Sequence, residues 1–215
     1  MKTLIITGGG FEKDFVALFL QNNTYDYVIA VDNGLSYAKT LGIAPDMICG
    51  DFDTYGTKAI PEYEGIATIL QSVPQKDDTD TEMAIRAAVG LNSDMDIICA
   101  MGGRMDHFLG TLQSLKIALD AGLSARIIDS RNIIELKDKP FRVSKKNFPH
   151  KYISFIPFSG EVPGLTIEGL KYTCSDYTLT PGITRCVSNE FVGEDEGSIS
   201  FTGGILTVLN SGDIG

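Results

Sequence analysis

Long apolar runs are missing from this chain of 215 residues. No stretch approaches the roughly 20 residues of a membrane-spanning helix. The first apolar stretch, Leu4-Ile5-Ile6, is cut short by Gly8-Gly9-Gly10 and then by Glu12-Lys13. A secretory leader needs a longer apolar core and a small-residue cleavage site, so the expected compartment is the cytoplasm. Positive charge is also scarce: 18 lysines and arginines stand against 28 acids, a formal net charge of -10. That balance excludes a general nucleic-acid or anionic-membrane binder, which needs a basic surface to neutralise phosphates. The four cysteines, Cys49, Cys99, Cys174 and Cys186, contain no CxxC pair. Cys49 and Cys99 sit in apolar, strand-like runs where cysteine acts as a small hydrophobe. Neither a disulfide framework nor a zinc site is expected. There is no GxxxxGK[ST] phosphate loop, no internal repeat and no low-complexity segment.

What is abundant is aspartate, and it is unevenly placed. Residues 1–130 carry 9 basic and 18 acidic side chains, 14 of the acids being aspartate; residues 131–215 carry 9 and 10, with 4 aspartates. Aspartate prefers caps, turns and loops after strands to helix interiors. A merely solvated acidic surface would favour glutamate on helices. The first half therefore reads as a set of loops that hold a metal ion.

Hydrophobic periodicity separates the same two halves. Short β-branched runs at 3–7, 27–31, 47–49, 67–70, 96–101 and 125–129 alternate with helical patterns at 11–21, 35–41, 79–91 and 106–121. Phe11, Phe15, Leu18 and Phe19 form one apolar face of the first helix. Phe108, Leu112, Leu115 and Leu119 form that of the last, which stops at Gly122. Such alternation predicts a mainly parallel sheet covered by helices. Beyond residue 130, short runs at 152–157, 165–168, 183–187, 198–201 and 205–209 are separated by Gly/Pro turns. Phe201 to Leu206 reads as a hairpin with a two-residue Gly-Gly turn. Residues 131–150, with their lysines, Pro140 and Pro149, are expected to hold the crossing between the halves. The fold predicted is α/β, with an α/β domain over 1–130 and a smaller β-sandwich or barrel domain over 131–215.

In open α/β sheets ligands bind beyond the carboxyl ends of the strands, and each aspartate cluster falls at such a place. Asp32-Asn33-Gly34 follows the second strand, and Gly50-Asp51-Phe52-Asp53-Thr54 follows the third. Lys76-Asp77-Asp78-Thr79-Asp80-Thr81-Glu82 precedes the helix over 79–91, and Gly102-Gly103-Arg104-Met105-Asp106-His107 follows the fifth strand. Two like charges 4 Å apart repel by about 4 kcal/mol at an effective dielectric near 20. Four acidic loops at one edge thus reject bare phosphate, whereas Mg²⁺ shared between carboxylate and phosphate oxygens reverses the sign. Lys76 and Arg104 bring matching positive charge, and the glycines would let backbone N–H groups approach phosphate. Each element also has a plainer reading. Asp32 and Asp80 suit helix N-caps, Asp51-Phe52-Asp53 suits a turn, His107 suits capping or packing, and Gly8–10 suits a tight turn. Four such coincidences at one edge are harder to accept than one ligand site.

These motifs, in order and spacing, resemble the thiamine pyrophosphokinase family: Asp32-Asn33-Gly34, Pro45-Asp46 with Gly50 to Thr54, Asp77 to Asp80, and Gly102 to His107. Gly169-Leu170-Lys171-Tyr172 and Val187-Ser188-Asn189-Glu190 resemble its C-terminal signatures. The resemblance implies transfer of pyrophosphate from ATP to the hydroxyl of thiamine, giving thiamine diphosphate and AMP. It also implies Mg²⁺, a homodimer, and a site near the subunit interface. Asp51, Asp53 and Asp80 are then expected to be catalytic and to hold the metal, Asp80 also orienting or deprotonating the hydroxyl. Asp32, Asn33, Gly34, Lys76, Asp77, Thr79, Gly103, Arg104 and Asp106 are expected around ATP. Tyr172, Ser188 and Asn189 are expected to hold thiamine, with Tyr172 as a core residue of the sandwich being the competing reading. Asn33 departs from the glycine common at its position, and Tyr172 stands where some members carry tryptophan. Two other functions compete. A dinucleotide-binding oxidoreductase fits Asp32, 22 residues after Gly10, but the chain lacks the third glycine of that fingerprint. A metal-dependent phosphoesterase explains the aspartates but not the β-rich second half.

Overall fold

The computed structural model describes residues 1–50, 60–71, 78–192 and 196–213. The expected site residues Asp51, Asp53, Lys76 and Asp77 lie outside them. The chain divides into two units, Met1–Ser130 and Arg131–Gly215.

The first unit runs β1 (Lys2–Ile6), α1 (Lys13–Gln21), β2 (Tyr27–Val31), α2 (Gly34–Leu41), β3 (Met47–Gly50), α3 (Ile60–Tyr63), β4 (Thr68–Gln71), α4 (Asp80–Gly90), β5 (Asp94–Ile98), α5 (Met105–Asp120) and β6 (Ala125–Ile128). Its strands lie in the order β6-β5-β1-β2-β3-β4, and every pairing is parallel. The chain steps outward from β1 to β4 and then returns to β5 on the other side of β1. The order therefore reverses between β1 and β5, the place where doubly wound sheets open a crevice. Ile5, Ile29 and Ile97 are fully buried, as strands covered on both faces require.

Several sequence expectations shift by a turn or a few residues. β5 ends at Ile98 rather than reaching residue 101, because Cys99 adopts φ +60° and breaks the extended run. Phe11 precedes α1, whose buried residue is Val16; Leu18 is 60% exposed, so the core-facing stripe is rotated from the expected one. In α5 the buried stripe is Thr111, Ser114, Leu115 and Ala118. Small residues there let the helix pack closely against α4, whose Ala84 and Ala88 are equally buried. α5 does stop as predicted: Gly122 takes φ +73° and its N–H bonds the Leu119 carbonyl at 2.9 Å.

The second unit contains β7 (Asn132–Lys137), β8 (Phe141–Ser144), β9 (Tyr152–Pro157), β10 (Val162–Glu168), β11 (Cys174–Leu179), β12 (Asn189–Glu190), β13 (Glu196–Ser200) and β14 (Leu206–Ser211). They form two antiparallel groups, β12-β9-β14-β7 and β11-β10-β13-β8. Phe155 and Val208 from one group and Val143, Leu165, Ile167 and Ile199 from the other share one core, which makes the unit a β-sandwich.

Three details overturn the sequence reading here. Residues 131–150 are not only a crossing, since they contain β7 and β8. Residues 183–187 are not a strand: Ile183 and Val187 donate to the carbonyls of Thr180 and Thr184 in successive turns, and both are exposed. The 201–206 segment is not a hairpin either. β13 pairs with β10 and β8, while β14 pairs with β7 and β9, so the two glycines carry the chain from one sheet to the other. Gly204 has φ +85°, and a Cβ there would strike the Glu161 carbonyl.

Candidate active site

The carboxyl edge of the parallel sheet gathers the loops after β1, β2 and β5 and the end of β3. At its centre, two glycine loops are stitched together by main chain. The Gly9 N–H donates to the Cys99 carbonyl and the Gly10 N–H to the Met101 carbonyl, each at 2.7 Å. A Cβ on Gly10 would come within 2.8 Å of the Met101 oxygen, and one on Gly9 would collide with that of Cys99. Glycine is needed here for backbone to meet backbone. These two N–H groups bond protein carbonyls, which differs from the expected role of donating to phosphate.

Asp32 follows β2 in a left-handed conformation, φ +48°, and its N–H bonds the Cys49 carbonyl at 2.9 Å. Its Oδ1 lies so close to Gly50 that any side chain there would strike it. Asp32 is therefore aimed at the end of β3, immediately before Asp51. Asp80 reaches the same strand end, where the Cys49 thiol donates to its main-chain carbonyl at 3.4 Å. Asp80 opens α4 without capping it. The cap is Thr79, whose hydroxyl accepts the Glu82 N–H at 3.2 Å. Backbone conformations of the Asp32 and Cys99 kind cost on the order of 1 kcal/mol or more each and gather at functional sites.

Asn33 and Gly34 begin α2. The Asn33 amide donates to the Tyr37 hydroxyl at 2.8 Å and accepts from the Ser36 hydroxyl at 3.0 Å. Across the crevice, Arg104 precedes α5 and forms a two-pronged contact with Asp106, at 3.1 and 2.5 Å. Both are exposed, and the hydrogen bond from Arg104 holds the Asp106 carboxyl well below its usual range, at about 2. Gly103 is exposed beside them.

In the second unit, Tyr172 is 55% exposed and is therefore not a core tyrosine. Asn189 is buried, and its amide brackets Tyr172. Its Oδ1 accepts the Tyr172 and Glu190 N–H groups at 2.9 Å, and its Nδ2 donates to the Tyr172 carbonyl at 2.7 Å. Ser188, exposed, has φ +60°, and its N–H bonds the Ser154 hydroxyl at 2.9 Å. Sequence reasoning passed over Lys171 and Glu190 individually. Their ion pair, at 2.7 Å, sits beside Tyr172, with the Lys171 ammonium 5.4 Å from the ring centre. A cavity lined by Tyr172, Cys174, Cys186 and Asn189 holds about 30 Å³. Tyr37 was also passed over, although its i,i+4 spacing from Asn33 on a helix is visible in the sequence.

Among the described residues no three His, Cys, Asp or Glu side chains converge as a metal site. Of the expected metal set only Asp80 falls within them. The Asp32 carboxylate lies against Gly50 at the end of β3, and the Asp80 main chain meets Cys49 one residue earlier; carboxylate oxygens of this kind suit a hard cation such as Mg²⁺.

Residues 20–127 match the family model described as "Thiamin pyrophosphokinase, catalytic domain", and residues 140–206 match "Thiamin pyrophosphokinase, vitamin B1 binding domain". The chain is 34% identical over 215 residues to the thiamine pyrophosphokinase of Bacillus subtilis, spanning 99% of this chain and 100% of that one. The crystal structure of the Bacillus subtilis thiamine pyrophosphokinase superposes with a TM-score of 0.86 at 32% identity, covering all of both chains. That of the Geobacillus thermodenitrificans thiamin pyrophosphokinase does so with 0.85 at 27% identity, covering 99% and 98%. With both family models matched in chain order and full-length relatives on either comparison, this chain belongs to the thiamine pyrophosphokinase family.

Proposed function

We propose that the carboxyl edge of the parallel sheet binds ATP with Mg²⁺ and that the exposed side of Tyr172 receives thiamine. The activity is that of the family: a diphosphotransferase that makes thiamine diphosphate and AMP from thiamine and ATP. The observation that carries the assignment of the edge is the approach of the Asp32 carboxylate and of the Asp80 main chain to the same end of β3, directly before Asp51 in sequence. Neither the oxidoreductase nor the phosphoesterase reading gains support from the fold or the relatives.

In this reading Asp51, Asp53 and Asp80 hold Mg²⁺, which supplies neutralisation of the pyrophosphoryl charge. The thiamine oxygen forms a bond to the β-phosphorus as the bond from that phosphorus to the bridging oxygen breaks, and AMP leaves with the electron pair. Asp80 orients the hydroxyl and accepts its proton. Arg104, with Lys76, meets phosphate oxygens, while Asp106 holds the guanidinium plane ready. Asp32, Asn33, Gly34, Asp77, Thr79 and Gly103 shape the remaining nucleotide contacts. Little covalent chemistry is asked of the protein, since positioning and charge dominate such transfers. Asn189 keeps Tyr172 in place, and Tyr172 and Ser188 contact the cationic substrate. The working form is a homodimer with the active site near the subunit interface, acting in the cytoplasm.

Incubation with ATP, Mg²⁺ and thiamine tests this. AMP together with thiamine diphosphate is the expected result. ADP, or hydrolysis that does not depend on thiamine, overturns it.

A further inference from the structure

We propose that Tyr37 is a positioning residue for the nucleotide, its hydroxyl linking Asn33 to the Gly9 carbonyl and so fixing the loop after β1. The inference rests on ATP lying at this edge. The Tyr37 hydroxyl accepts from Asn33 Nδ2 at 2.8 Å and donates to the Gly9 carbonyl at 2.9 Å. Its ring is stacked on Phe11, with centroids 4.4 Å apart and planes 6° from parallel. Phe11 stands at the far end of the same glycine loop. The loop is thus gripped on two sides. The β5 side holds the Gly9 and Gly10 N–H groups, and α2 holds the Gly9 carbonyl and the Phe11 ring.

A phenol is suited to this task because one hydroxyl both accepts and donates. A phenylalanine keeps the stack and loses both hydrogen bonds. The arrangement also gives Asn33 a purpose. Where the family commonly has a glycine, this chain has an amide that orients the Tyr37 hydroxyl. Asn33 in turn is fixed by Ser36. Residue 33 acts on the loop through residue 37.

The test compares the full-length wild-type chain with Tyr37→Phe, Asn33→Gly, the double variant and Arg104→Ala. Steady-state kinetics are run in each substrate, together with thermal melting. Tyr37→Phe is expected to raise KM for ATP by about fivefold to tenfold, the size of a lost hydrogen bond. KM for thiamine should stay unchanged, and the melting temperature should fall by no more than about 2–6 °C, the scale of the lost hydrogen bonds. The double variant should be no worse than Tyr37→Phe alone, since both changes break one linkage. Arg104→Ala should also raise KM for ATP. If Arg104→Ala raises it and Tyr37→Phe leaves it within twofold, Tyr37 has no positioning role and the nucleotide site stands. If neither variant moves it, the nucleotide lies elsewhere and both readings fall. Equal rises in both KM values make Tyr37 a merely structural residue and overturn the inference. So does a double variant that is worse than Tyr37→Phe by the full effect of Asn33→Gly.

Discussion

At the first turn of α4, capping and charge are divided between neighbours: Thr79 satisfies the Glu82 N–H, while Asp80, whose main chain meets Cys49 of β3, brings a carboxylate that does not cap the helix. Asp80→Asn therefore removes charge without removing the cap. Turnover should fall more than about a hundredfold, equivalent to about 2.7 kcal/mol or more of lost transition-state stabilisation. The melting temperature should move little, since a carboxylate in a first helical turn contributes about 0.3–1 kcal/mol. A variant retaining over a tenth of wild-type turnover would remove Asp80 from the mechanism. Tyr172 and Asn189 separate in the same way. Tyr172→Leu, at an exposed ring, should raise KM for thiamine by up to roughly thirtyfold with unchanged melting, the scale of a cation over an aromatic face. Asn189→Ala should lower stability by about 1–3 kcal/mol, because it orphans three main-chain groups. Parallel melts and thiamine titrations of the two variants distinguish contact from support.

Among the elements, β5 carries a charge where a central parallel strand normally has none. Asp96 is fully buried. It accepts from Arg126 at 2.7 and 2.9 Å and from Tyr25 at 2.7 Å, and Lys2 Nζ lies 2.8 Å away. Burial pushes its carboxyl up, but the hydrogen bonds and charge of Arg126, with Lys2 and Tyr25, outweigh that and hold it below the usual value. A depressed carboxyl stabilises the fold above its unfolded value, about 3.9, and loses that contribution as pH falls toward the folded value. Asp96→Asn should cost about 1.5–3 kcal/mol at neutral pH, the scale of hydrogen bonds to a charged group, since Arg126 and Lys2 keep contact with solvent. The gap between wild type and variant in urea midpoints should shrink as pH is lowered from about 5. A gap independent of pH would show that shape, not charge, matters at this position. The sequence revealed the strands and helices of the first unit because their apolar period is local. It did not reveal Asp96 as a hub, since its partners come from β1, the loop after α1, and β6. Nor could Gly203-Gly204 be told from a hairpin turn. Both uses need the same backbone freedom, and long-range burial of Phe201 and Leu206 in one core decides between them. β7 and β8 were obscured by the lysines and Pro140 that flank their apolar residues.

For the whole molecule, the aspartate-rich half and the half without helices became two units with different layer chemistry, α/β and β-sandwich. The sequence pointed to loops at one sheet edge because its short acidic motifs lie near strand ends. Among the described residues Asp32 follows β2 there and Gly103 and Arg104 follow β5, while Asp51, Asp53, Lys76 and Asp77 lie outside them. The glycine pairing was not legible, because main-chain hydrogen bonds leave no side-chain signature. The Tyr37 linkage was only half visible, since the i,i+4 spacing from Asn33 does not show that the hydroxyl reaches the Gly9 carbonyl. Assembly is tested by light scattering at micromolar concentration: a dimer is expected, and a fully active monomer would refute a site that needs two subunits. No helix among the described residues is long and apolar enough to cross a membrane.

The stitched glycine loops after β1 and β5 have an evolutionary consequence. A floor made of peptide groups keeps its contour whatever happens to the side chains around it, provided Gly9 and Gly10 are kept. Neighbouring positions such as 33 can then change and recruit new linkages without reshaping the crevice. Directed evolution toward other nucleotide donors should accumulate its substitutions on α2 and the start of α5 and leave the two glycines untouched.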